Sequence, residues 1–131
     1  MKDFSQEKLC DPKFVESLYK LFHKLVLQRN NEEEIISTGE MLLQAEFDQA
    51  KKAFVLNQLG ICYSNQNNFK KAIECFQKTI ELDPQNVEGY CNFGIFYSLQ
   101  KDFDKAIKCF QKAIEIDPEN EIAKILLINA I

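Results

Sequence analysis

The chain has 131 residues, enough for one domain, and its 46% hydrophobic and 11% aromatic content can bury a core, which excludes disorder throughout. A net charge of -4 and a pI near 5.1 supply no long-range attraction to nucleic acid or to an anionic membrane, so neither is expected as a partner. Four Gly and three Pro are sparse punctuation, which favours long helices over an all-β fold.

Residues 1–10 are mixed and are expected to form a poorly ordered N-terminal segment. They lead into a polar stretch and not an apolar run, so no secretory signal is expected, and no stretch approaches the ~20 apolar residues of a membrane span. A helix is predicted from Asp11-Pro12, where Asp can cap and Pro suits the first turn, to about Arg29, with Phe14, Leu18, Leu21, Phe22, Leu25 and Val26 at helical spacing. Asn30-Asn31 breaks the pattern. Glu32, Glu33 and Glu34 then stand where the positive end of a helix dipole favours acids, so they read as a helix start and not as a ligand site. Ile35, Ile36, Met41, Leu42 and Ala45 continue that second helix, interrupted by Gly39, which costs about 1 kcal/mol against Ala there. The two helices are expected to pair as an antiparallel hairpin over residues 11–46.

Asp48 can cap a third helix running to Asn65, followed by a turn at Asn65-Gln66-Asn67-Asn68 and a return helix from Phe69 to Leu82, closed by Asp83-Pro84. The next stretch repeats this plan: a helix from about Val87 to Gln100, a turn at Lys101-Asp102, a return helix from Phe103 to Ile116, and Asp117-Pro118. Residues 53–86 and 87–120, laid over each other without a gap, agree at 18 of 34 positions, so the chain contains an internal repeat of helical hairpins. Glu119 to Ile131 reads as a last helix that aligns with the start of a third block, with Ile128 where the two blocks have Gly60 and Gly94. Small residues recur where two helices must come close (Gly60 and Gly94, Ala72 and Ala106), and Tyr63, Phe69, Phe76, Tyr97, Phe103 and Phe110 are expected to interlock between neighbours. A single hairpin cannot bury both faces, so stability must come from stacking.

Leu59-Gly60-x-x-Tyr63, Ala72, Phe76 and Pro84, and then Phe93-Gly94-x-x-Tyr97, Ala106, Phe110 and Pro118, resemble the tetratricopeptide repeat family, with Leu56 and Tyr90 in place of its usual Trp. The resemblance implies an all-α, right-handed superhelical solenoid of antiparallel helix pairs, about three hairpins plus a C-terminal helix, with a concave groove lined by the first helix of each pair. Residues 11–46 fit it by apolar type only: Leu25, Ile35 and Leu42 precede Leu59, Phe69 and Phe76 by 34 residues, while Val26, Thr38 and Ala50 replace Gly60, Ala72 and Pro84. They are either a degenerate repeat or an unrelated helical cap.

The same resemblance places Phe54, Asn57, Gln58, Ile61, Ser64 and Asn65, and then Glu88, Cys91, Asn92, Ile95, Ser98 and Leu99, along the groove as peptide-binding positions. Amides such as Asn57, Gln58, Asn65 and Asn92 both donate and accept, and suit the backbone of an extended peptide as well as they suit plain solvent. Family members that hold a chaperone C-terminal carboxylate use a cationic clamp; the matching positions here are Asn57, Ile61, Asn92, Ile122 and Leu126, or, one repeat earlier, His23, Leu27, Gln58, Glu88 and Asn92. Neither register supplies the cations, so that mode is not expected. Ile122, Ile125 and Leu126, with Leu127, Ile128 and Ile131, cover more than one face of the last helix, which suggests an interface with a partner or a second copy, or a fragment whose next helix is missing.

Five cysteines without a Cys-x-x-Cys pair and one histidine, His23, exclude a standard zinc site and argue against a disulfide framework, and a cytosolic or other reducing interior is expected. The sequence has no Gly-rich phosphate loop, no paired-acid motif and no positioned Cys or Ser partner for His23, so neither a cofactor nor catalysis is expected. The expected function is a non-enzymatic module that binds a protein or peptide in the groove; the alternative is a structural subunit docked through its last helix.

Overall fold

The computed structural model describes residues 7–29 and 31–131, and these hold seven helices of ten residues or more. They are α1 Pro12–Gln28, α2 Glu32–Leu42, α3 Gln49–Asn65, α4 Phe69–Leu82, α5 Val87–Leu99, α6 Phe103–Ile116 and α7 Glu121–Ala130. Residues 1–6 of the segment expected to be poorly ordered, and Asn30 of the break after α1, lie outside the described residues. Leu9, in the remainder of that segment, is buried in the main core.

Each helix starts on an Asn or Asp. Asp11, Asn31, Asp48, Asn68, Asn86, Asp102 and Asn120 accept a backbone N–H from the first turn of the helix they precede, which satisfies one of the orphan donors there. Asn31 and Glu34 bond reciprocally, the Glu34 N–H donating to Asn31 Oδ1 at 3.2 Å and Asn31 Nδ2 donating to Glu34 Oε1 at 3.1 Å. Asn67 and Lys101, at the same place in successive turns, both take the left-handed conformation (φ 63° and 64°) that reverses the chain between paired helices.

The solenoid follows from which helices touch. α1 packs on α2, α3 on α4 and α5 on α6 as hairpins; α2 meets α3, α4 meets α5 and α6 meets α7 between them; and α3, α5 and α7 also touch directly, forming a row of first helices. Gly60 and Gly94 set the hairpin spacing: a Cβ on Gly60 would lie 2.8 Å from the Phe76 ring and one on Gly94 2.3 Å from the Phe110 ring. In the first hairpin the close approach is moved to α2, where a Cβ on Gly39 would lie 2.8 Å from Leu59 and 2.9 Å from Phe22. Gly39 is therefore a packing position and not an interruption. Between hairpins, Phe76 stacks on Phe93 with centroids 5.4 Å apart and lies 5.8 Å from Phe96.

Two expectations need correction. Helix α2 stops at Leu42, and Ala45 is buried from a turn held by the bond from its N–H to Leu42 O at 2.9 Å. Phe69 and Phe103 do not interlock fully, being 37% and 47% exposed, because each opens its return helix and one flank is left to solvent.

Candidate functional site: the row of first helices

The C-terminal halves of α1, α3 and α5, with the start of α2, surround an open cavity of about 480 Å³. Of the residues expected along the groove, Gln58, Ile61, Ser64 and Asn65 on α3 and Asn92, Ile95 and Leu99 on α5 line it together. Phe76 and Phe96 form part of its deeper wall. Ile95 and Leu99 are 36% and 69% exposed, so apolar surface stands open beside the amides of Gln58, Asn65 and Asn92.

The other expected positions fall elsewhere. Phe54 closes the junction of α1 and α3, edge-on to Phe22 at 6.1 Å and stacked on His23 at 5.4 Å. Glu88 is exposed in the first turn of α5, outside the cavity lining. Asn57 and Cys91 are buried beneath the groove surface, 2% and 6% exposed, and do not offer their side chains to a ligand. Repeat geometry gives the reason. Cys91 packs with Ala113 and Ala123 where α5, α6 and α7 meet, and one repeat earlier those places are held by Asn57, Thr79 and Gly89, all buried. Thr79 donates its hydroxyl to Cys75 O at 2.8 Å. Asn57 Oδ1 has no hydrogen-bond partner among the described residues.

A buried, unpartnered amide oxygen costs about 1–3 kcal/mol. Asn57→Leu, which keeps the branching and removes the polar atoms, is therefore expected to raise unfolding free energy by about 1 kcal/mol in urea titrations. A loss of stability would mean that the oxygen is satisfied or the site too tight for two methyl groups.

Glu32, read from the sequence as a helix start and not as a ligand site, opens α2 and also lines the cavity, as does Arg29, which was not singled out because groove positions were carried only from the two clear blocks. Asn65 Nδ2 donates to Glu32 Oε2 at 2.6 Å, and the Tyr63 hydroxyl donates to the Glu40 carboxylate, so polar bonds tie α2 to the last turn of α3. Burial pushes the Cys62 thiol in the cavity wall up to about 12, with Glu32 adding to the rise and Arg29 opposing it. Burial likewise raises Cys75 and Cys109 to about 11. Thiols held this high are neutral near pH 7 and are poor nucleophiles. Among the described residues no three His, Cys, Asp or Glu side chains gather as metal ligands would. No helix among them is long and apolar enough to cross a membrane.

At the far end of the row, Ile122, Ile125, Ile128 and Ile131 of α7 and the residue after it are 66%, 55%, 70% and 85% exposed. Leu126, expected beside them, instead turns inward and packs against the Cys91, Ala113 and Ala123 cluster.

Comparison with known proteins agrees with this fold. The sequence profile of the tetratricopeptide repeat matches residues 53–86 and 87–120. Among solved structures, the first TPR of Spaghetti (RPAP3) bound to HSP90 peptide SRMEEVD is similar over 92% of this chain and 93% of that one, at 16% identity and a TM-score of 0.77. MamA is similar over 92% and 68% of the two chains at 25% identity and a TM-score of 0.77. The Arabidopsis OM64 TPR domain is similar over 90% and 94% at 14% identity and a TM-score of 0.75. A search of curated protein sequences gave no significant match.

Proposed function

The chain belongs to the tetratricopeptide repeat family, and from that premise we propose that it is a non-enzymatic interaction module that holds a peptide segment of a partner protein along α3 and α5. One observation carries the reading: amides and open aliphatic side chains converge on a single cavity of about 480 Å³. Gln58 and Asn92 bond a peptide backbone, which fixes its course without reading its sequence. Ile61, Ile95 and Leu99 take its apolar side chains, and the free energy of association comes mainly from that contact. In the same reading residues 11–46 act as a degenerate first repeat, since α1 and α2 supply one wall of the cavity.

A second reading has its own observation. The exposed isoleucines of α7 include Ile128, which stands where Gly60 and Gly94 admit a phenylalanine ring, so a return helix of the repeat's own kind cannot close on α7 in the same way. In this reading the protein is a subunit docked through α7 onto an assembly or another copy.

Light scattering and two variants separate these readings. Groove binding predicts a monomer whose partner peptides are lost in Ile95→Asp and retained in Ile125→Asp. A dimer, or binding abolished only by Ile125→Asp, would replace the groove reading with the second one.

A further inference from the structure

The cavity described above carries a charge pattern that narrows its ligand. Fifteen of the sixteen Lys and Arg residues are lysines, and the single arginine, Arg29, stands at the cavity. Arg29 ends α1 in the left-handed conformation (φ 51°), its N–H bonded to Leu25 O at 3.0 Å, so the stem of the side chain starts from a fixed point. Its guanidinium has no carboxylate within ion-pair distance among the described residues, whereas ion pairs elsewhere join lysines to acids on their own helix or its cap. The other charged residue of the lining, Glu32, already accepts Asn65 Nδ2 at 2.6 Å.

Resting on the groove reading, we propose that the ligand is a peptide in which one carboxylate adjoins a bulky aliphatic or aromatic side chain, the carboxylate pairing with Arg29 and the side chain filling the space between Ile61 and Ile95. An arginine offers a carboxylate two parallel N–H donors, which a lysine cannot. Glu32, in the same lining, repels a second acid, so a single carboxylate fits and a polyacidic tract does not.

The test is selection of a random-peptide phage library on the full chain and on its Arg29→Glu, Arg29→Lys and Ile95→Asp variants, each first checked for native helicity. Wild type should enrich one Asp or Glu next to Leu, Ile or Phe. Resynthesised winners should bind Arg29→Glu about tenfold or more weakly, with Arg29→Lys in between. Winners that need Ile95 but show no acidic preference and no response to Arg29→Glu would overturn this inference and leave the groove reading standing. Winners indifferent to Ile95→Asp, or no enrichment at all, would overturn both.

Discussion

Gly94→Leu is expected to destabilise the protein by about 3 kcal/mol, read as a lower urea midpoint at unchanged slope. Even a bare Cβ at this position would lie 2.3 Å from the Phe110 ring. That ring is 1% exposed, and close-packed interiors leave little room for it to move aside. The gain in helix propensity on replacing glycine, about 1 kcal/mol, is too small to offset the overlap. Because the clash has one named partner, the double variant Gly94→Leu with Phe110→Ala should be less destabilised than the sum of its parts. Strict additivity would show that Gly94 does not set the α5–α6 spacing.

Phe76→Ala should cost about 3–5 kcal/mol, the range for removing a fully buried aromatic ring. Phe76 has three jobs. It fills the space above Gly60, it stacks on Phe93, and it forms part of the inner wall of the groove cavity. The second job joins one hairpin to the next, so the loss should extend beyond α3 and α4: amide exchange protection in α5 should fall together with theirs. Protection that fell only within α3 and α4 would mean that the hairpins are held together by other contacts.

The fold was legible wherever one residue type has one physical use. Gly60 and Gly94 each face a phenylalanine, Ala72 and Ala106 are fully buried, and Asp83-Pro84 and Asp117-Pro118 end their helices where a proline must. The helix starts at Asn68, Asn86 and Asn120 were not singled out as caps, because asparagine serves turns and caps equally and only the N–H it accepts decides between them. Gly39 was misread for a similar reason: its partners, Phe22 and Leu59, belong to two other helices and leave no local pattern.

The candidate site was half legible. Position in the repeat predicts that a residue lies on the row of first helices, but its exposure depends on what the next repeat places opposite. Gly89, lacking a side chain, lets α5 come close to Thr79 of α4, and Asn57, at the repeat position of Cys91, is buried. Arg29 and Glu32 reach the cavity from the first hairpin, which fits the repeat pattern by apolar type only.

The central claim is that ligands enter between α1, α3 and α5. Backbone amide shifts of the isotopically labelled chain, followed by NMR while a selected peptide is titrated in, test it most directly. The account predicts saturable shifts grouped at Gln58, Ile61, Asn92, Ile95 and Leu99, with α7 unmoved. Shifts confined to Ile122, Ile125 and Ile128 would contradict it.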